Sequence, residues 1–172
     1  ARKINKDEQL QSLDLSSWRT ALCGAEPIYP ETIDAFYKRF IPCGFKRVAF
    51  FPAYGLAENT LAVSFSELNK IPYILHIDSD IFEKENRIVK VTENENSKKI
   101  VSVGYALDTV EIKIVDSNNT TVKEGNIGEI MVKGPSVMKG YFENPDATNE
   151  VFIDNWLKTG DFGFFYEGRL FV

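Results

Sequence analysis

The stretch Val48-Ala49-Phe50-Phe51-Pro52-Ala53-Tyr54-Gly55-Leu56-Ala57-Glu58 decides the fold. Its first four residues are a continuous apolar run bounded by Pro52, which predicts a buried strand in a sheet covered on both faces. The strand delivers an aromatic ring, a glycine and an acid at its carboxyl end, where open α/β sheets place their ligands. Upstream, Ile33, Phe36, Tyr37, Phe40 and Ile41 fall on one face at helical spacing. Pro30 suits the first turn of that helix, Glu31 and Asp34 favour its positive end, and Pro42 with Gly44 stop it. Before it, Arg19-Thr20-Ala21-Leu22-Cys23 reads as a short buried strand leading into Gly24-Ala25-Glu26-Pro27, and the residues up to Ser12 read as the solvated end of a helix or a loop. Strand, turn, helix, strand is the grammar of an α/β layered domain.

Further along, the character changes. Ser66 to Ser97 is rich in Glu, Lys and Asn, with apolar islands at Tyr73-Ile74-Leu75 and Ile88-Val89-Lys90-Val91 and an exposed turn at Glu93-Asn94-Glu95-Asn96-Ser97. From Ile100 onward the pattern is β. Val110, Ile112 and Ile114 alternate with Glu111 and Lys113, Asp116-Ser117-Asn118-Asn119 supplies a turn, and Glu129 to Lys133 is a strand closed by Gly134-Pro135. Three parts are expected: an α/β part over 1–65, an insertion over 66–100 and a β-rich part over 101–172. Trp18, Trp156 and the aromatics from Phe162 to Tyr166 read as core.

The net charge of −5 over 172 residues argues against a nucleic-acid surface, which needs a basic stripe to neutralise phosphates. No apolar run reaches the roughly 20 residues of a membrane span. Cys23 and Cys43 have no metal-ligand spacing and read as reduced thiols of a cytoplasmic protein. His76 reads as a structural or surface histidine and not as a catalyst. The start, without Met or a signal-peptide core, and the end at Gly168-Arg169-Leu170-Phe171-Val172, inside an expected strand, read as those of a segment of a longer chain.

Several segments follow one another in a telling order. They are Gly24-Ala25-Glu26-Pro27, then Tyr54-Gly55-Leu56-Ala57-Glu58-Asn59-Thr60, and then Gly128-Glu129-Ile130-Met131-Val132-Lys133-Gly134-Pro135. Gly140-Tyr141-Phe142-Glu143-Asn144-Pro145-Asp146-Ala147-Thr148 and Leu157-Lys158-Thr159-Gly160-Asp161 complete the series. Each is short, but in this order they resemble the adenylate-forming superfamily of acyl-CoA synthetases, peptide-synthetase adenylation domains, luciferases and fatty acyl-AMP ligases. The resemblance implies a layered α/β adenylation domain followed by a distorted barrel-like subdomain. It also implies ATP and AMP as ligands, Mg²⁺ beside the phosphates, and a nucleotide site built from Gly24, Ala25, Glu26, Tyr54, Gly55, Leu56, Ala57 and Asp161, with Glu58 at the metal.

Those residue types suit those roles. The Tyr54 ring offers a face for adenine. Gly55 lets a backbone approach a nucleotide closely, and small Gly24 and Ala25 leave room against the main chain. Glu58 is an oxygen donor of the kind that holds Mg²⁺ beside phosphates. Asp161 can accept hydrogen bonds from both ribose hydroxyls, as acids do in dinucleotide folds.

Finer features point within the superfamily to fatty acyl-AMP ligases: Leu15-Ser16-Ser17-Trp18-Arg19, Pro42-Cys43-Gly44-Phe45, and Ala57 where most relatives carry Thr or Ser. In that group, an insertion after the Tyr-Gly motif restrains a mobile C-terminal domain and disfavours CoA chemistry. Residues 66–100 sit at that place, and Leu75-His76-Ile77-Asp78-Ser79-Asp80 resembles the insertion's own pattern. Tyr105 departs, standing where relatives usually have Arg. The implied reaction joins a long-chain fatty acid to ATP as acyl-AMP, with release of pyrophosphate, and passes the acyl group to an acyl carrier protein or a synthase carrier domain. A CoA ligase on the same scaffold and a silent structural fragment are the alternatives. No Gly/Ser/Thr-rich phosphate loop occurs in the sequence, and both that loop and the family's catalytic Lys are expected outside it.

Overall fold

The computed structural model describes residue 10 and residues 12–172, so the reading of the first dozen residues lies mostly outside it. The short strand β1 (Ala21–Cys23) leads through a turn into helix α1 (Pro30–Phe40), which returns the chain to β2 (Phe50–Leu56). β1 and β2 pair in parallel, Ala21 opposite Phe50 and Cys23 opposite Pro52, as a helical crossover requires. Pro30 opens α1, with Glu31 in the first turn and Lys38 and Arg39 in the last. The helix ends at Phe40, one residue short of the periodic run. Ile41 enters a 3-10 turn closed by left-handed Gly44 and is 48% exposed, so it leaves the buried face.

The expected strand at Val48 begins two residues later, because Arg47–Ala49 closes a 3-10 turn. It also runs through Pro52 instead of stopping there. The antiparallel ladder to β3 (Leu61–Phe65) starts at Ala53 opposite Phe65, so Pro52 precedes its first pair, and the Pro52 carbonyl accepts from Ser66 N at 2.9 Å. A missing donor is tolerated at such an end. β6 (Tyr105–Ala106) completes a sheet in the order β1-β2-β3-β6.

A hairpin of β4 (Ile74–Asp78) and β5 (Ser97–Val101) stands apart as its own two-stranded sheet, with helix α2 (Ser79–Glu85) between its strands. Asp78 caps α2, its carboxylate accepting from Ile81 N at 3.0 Å. The remaining sheet holds β7 (Glu111–Val115), β8 (Gly128–Lys133), β10 (Trp156–Tyr166) and β11 (Arg169–Phe171) in the order β11-β10-β8-β7. Helix α3 (Pro145–Val151) and β9 (Phe152–Ile153) precede β10, and β9 pairs with it. The result is mixed α/β with a curled antiparallel sheet, the class expected from the sequence.

Three cores hold these parts together. Ile33, Phe40, Phe45 and Phe50 pack α1 on the first sheet, with Val101 among them. Tyr54 and Val63 of the first sheet meet Ile130, Val132, Leu157 and Leu170 of the curled sheet. Leu75, Ile77 and Ile88 of the hairpin segment bury Phe164 and Phe171, whose rings stack at 4.8 Å. The polar stretch is thus fastened by its apolar islands. Three aromatics expected in the core are outside it, one of them Trp156, which is half-buried beneath Lys113 and Lys133. Trp18 is 41% exposed and donates its indole N–H to Thr20 O at 2.8 Å, resting edge-on against Phe36 and Phe45. Phe162, the first paired residue after a bulge in β10, is 65% exposed.

Candidate functional site

A side-chain hydrogen bond links β2 to β10. The hydroxyl of Tyr54 donates to Asp161 Oδ2 at 2.7 Å. Tyr54 is at an inward position of β2 and only 8% exposed. Asp161 reaches it because β10 is irregular there. The ladder to β8 breaks between Lys158 and Phe162, and Gly160 turns through φ +77°, a conformation glycine takes without strain. Thr159 pins the bulge, donating to Ile130 O at 2.8 Å and accepting from Asp161 N at 3.1 Å. Glu129 accepts from Gly160 N at 3.3 Å and pairs with Lys158 at 3.2 Å.

Beside this bond lies a cavity of about 200 Å³, lined by Ala25, Glu26, Tyr54, Gly55 and Asp161 together with apolar walls that include Ile28, Val101 and Val103. Five of the nine residues singled out from sequence therefore share one cavity. Gly24, Leu56, Ala57 and Glu58 fall outside its lining. Gly24 is needed nearby, since a Cβ there would lie 2.6 Å from Ala53 O, and Ala25 follows it at φ +67°. Gly55 has a structural reason besides the one its motif suggested. A side chain would run into the backbone carbonyl of Leu61, so the glycine is demanded by the β2–β3 hairpin.

Glu58 sits on a 3-10 turn, Ala57–Asn59, beyond the end of β2. The turn is clasped by the loop after β8. Met138 N donates to Glu58 O at 2.7 Å, Thr60 Oγ1 to Ser136 O at 2.6 Å, and Ser136 Oγ to Asn59 Oδ1 at 3.1 Å. The Tyr141 hydroxyl donates to Glu58 Oε1 at 3.0 Å, and that bond holds the Tyr141 phenol above its ordinary range. Burial first, then Asp161 and the charge of Glu58, push the Tyr54 phenol well up, with Thr159 pulling the other way.

Among the described residues no cluster of three or more His, Cys, Asp or Glu could hold a metal unaided. A cation here would meet the single carboxylate of Glu58. That fits Mg²⁺, which takes one or two carboxylates together with substrate phosphates. Ile28, Val101, Val103, Tyr141 and Glu129 were not singled out for the site from sequence. The apolar ones carry no chemical signal, and the roles of Tyr141 and Glu129 arise from long-range contacts.

A mixed α/β unit followed by a curled antiparallel sheet is the fold class of adenylation domains. The comparisons agree. Residues 1–142 match the AMP-binding enzyme family, so the chain belongs to that family. It is 38% identical to the medium-chain-fatty-acid–[acyl-carrier-protein] ligase TtuA of Teredinibacter turnerae, over 97% of this chain and 28% of that protein. It is 39% identical to the ligase JamA of Moorena producens, which carries the same description, over 96% of this chain and 30% of that one. A solved fatty acyl-adenylate ligase from L. pneumophila, in complex with acyl adenylate and pyrophosphate, superposes with a TM-score of 0.92 at 36% identity, covering 99% of this chain and 31% of that structure. The chain thus spans under a third of the length of these relatives. No helix among the described residues is long and apolar enough to cross a membrane.

Proposed function

We propose that this chain is the adenine-, ribose- and cation-binding part of a longer cytoplasmic enzyme that activates a fatty acid with ATP as acyl-AMP. The acyl group then passes to an acyl carrier protein or carrier domain. The observation that carries the reading is the Tyr54–Asp161 bond at the edge of a cavity shared with Ala25, Glu26 and Gly55. At about 200 Å³ the cavity is smaller than the ~300 Å³ at which pockets begin to enclose whole drug-sized ligands, so it suits a base more than an entire nucleotide. Tyr54 offers its ring to the base. Asp161 gives one oxygen to Tyr54 and keeps acceptor capacity for ribose hydroxyls. Glu58, on a separate turn, would meet Mg²⁺ carried by the phosphates, and that cation would offset negative charge there. The family name of TtuA and JamA supports the fatty acid and the carrier protein. The parts 1–65, 66–100 and 101–172 serve in this reading as base platform, docked insertion and ribose arm.

Calorimetric titration of the longer enzyme tests the site. Asp161→Asn should weaken AMP binding about tenfold, as loss of a charge-assisted bond does, and leave 2′,3′-dideoxy-AMP unaffected. Equal losses for both nucleotides would remove Asp161 from the ribose. ATP–pyrophosphate exchange that depends on added fatty acid tests the reaction, and exchange indifferent to the acid would exclude it.

A further inference from the structure

Glu58 has, among the described residues, one recorded side-chain partner, the Tyr141 hydroxyl 83 positions away. What holds Tyr141 makes that contact more than a passing surface bond. Its backbone N–H donates to Thr148 Oγ1 at 2.9 Å, and the same hydroxyl donates to Asn144 O at 2.8 Å. Asn144 in turn caps α3, accepting from Ala147 N at 3.1 Å. Gly140, at φ +150°, brings the loop so close to Thr148 that a Cβ would lie 2.7 Å from its methyl. On the other side, Met138 N and Ser136 hold the backbone and neighbours of Glu58 itself. The phenol therefore stands on a fixed loop whose two ends are fastened to α3 and to the turn that carries the acid.

We propose that Tyr141 is a positioning residue for the divalent cation. Its hydroxyl occupies Glu58 Oε1, halts rotation of the carboxylate and leaves Oε2 to bind the metal. The proposal rests on the reading of Glu58 as the carboxylate that meets Mg²⁺. A glutamate otherwise rotates about several bonds, and freezing it before the ligand arrives removes that ordering cost from binding. The bond is neutral to charged, so it withdraws little negative charge from the acid while fixing its direction.

The test measures Mn²⁺ as a spectroscopic stand-in for Mg²⁺. In the longer enzyme, binding of Mn²⁺·ATP is read by electron paramagnetic resonance, and metal-free AMP binding in the presence of EDTA by calorimetry. Tyr141→Phe keeps the ring and its packing and removes one hydroxyl. It should weaken Mn²⁺·ATP about three- to tenfold, the range of one hydrogen bond, with metal-free AMP unchanged. Glu58→Gln should weaken Mn²⁺·ATP at least as much, and the double variant should be no worse than Glu58→Gln alone, since the hydroxyl then has no charged ligand to orient. If Glu58→Gln weakens the metal and Tyr141→Phe does not, the positioning role is wrong and the metal reading stands. If Tyr141→Phe harms metal-free AMP as much as Mn²⁺·ATP, the tyrosine is structural and the proposal fails. If Glu58→Gln leaves Mn²⁺·ATP unchanged, the metal reading fails and the proposal with it.

Discussion

Tyr54 donates its hydroxyl to Asp161 across 107 positions of sequence, and this bond of 2.7 Å joins the two sheets. Behind the bond, the Tyr54 ring packs in a core with Val63, Val103, Ile130 and Leu157. The same side chain is therefore a packing element, a cavity wall and the anchor of an acid. A substitution that keeps the ring separates these roles.

Tyr54→Phe should lower stability by about 1 kcal/mol at neutral pH through loss of the bond. The difference should shrink in alkali. Burial holds the folded-state phenol above its ordinary value of about 10, so the folded chain keeps a proton that the unfolded chain releases. That contribution is complete below pH ~10 and is lost as the pH rises beyond it. One unit higher, the wild type loses up to about 1.4 kcal/mol that the variant does not. Urea midpoints of both proteins between pH 7 and 11 give the answer, and a constant difference across that range would contradict it.

Gly55 and Gly160 should respond in unlike ways to alanine. At Gly55 a methyl meets the Leu61 backbone, which cannot swing aside. Gly55→Ala should cost at least about 3 kcal/mol, beyond ordinary overpacking. At Gly160 nothing lies within 4 Å, and only the φ of +77° resists a side chain. Gly160→Ala should cost about 1–2 kcal/mol. Urea unfolding of the two variants settles the order, and a larger loss at Gly160 would mean that the bulge matters more than the hairpin.

How far the sequence could be read follows from the range of each interaction. The α1 face is a local pattern, set by residues a few positions apart, and it was legible to within one residue, whereas the far end of β2 at Leu56 was not, because Pro52 reads as a boundary. Nor was the 3-10 turn at Arg47–Ala49, because Val48 and Ala49 are as apolar as the strand that follows. The order of motifs pointed to Asp161, but the bulge that turns it toward Tyr54 depends on how β10 pairs with β8, which no local pattern specifies. Tyr141 bonds Glu58 across 83 positions and therefore stayed hidden. Trp18 and Phe162 misled for the opposite reason, since hydrophobicity alone says nothing of which neighbours arrive to cover a ring.

Ile77 measures how firmly the hairpin is docked. It is fully buried, in one cluster with Leu75, Phe164 and Phe171. Ile77→Ala should cost about 2–4 kcal/mol. Combined with Phe171→Ala, the total should fall short of the sum by at least about 0.5 kcal/mol, because the two side chains share one cluster. Strict additivity in urea denaturation would show that the hairpin and β11 are energetically separate despite their shared core.

The last prediction uses the hairpin's other face. Its apolar side is spent on Phe164 and Phe171, so the exposed residues of α2 and its exit are one place where the restraint on a mobile C-terminal domain that the resemblance implies would act. Glu83, Lys84, Glu85 and Arg87 are exposed there, with Lys84 paired to Asp80 at 2.7 Å and Arg87 to Glu85 at 3.1 Å. Exposed pairs contribute little to folding, so replacing all four by alanine should change stability by less than about 1 kcal/mol in the longer enzyme. Acyl-AMP formation should persist, because none of the four lines the Tyr54 cavity. With ATP, a long-chain acid and CoA supplied together, the variant should release acyl-CoA that the intact enzyme does not, since weakening one domain arrangement populates the other. Chromatography of the products decides. An intact enzyme that already makes acyl-CoA efficiently would favour the CoA-ligase alternative. A folded, adenylating variant that gains no CoA product would show that this face of the hairpin does not set the partition between carrier and CoA.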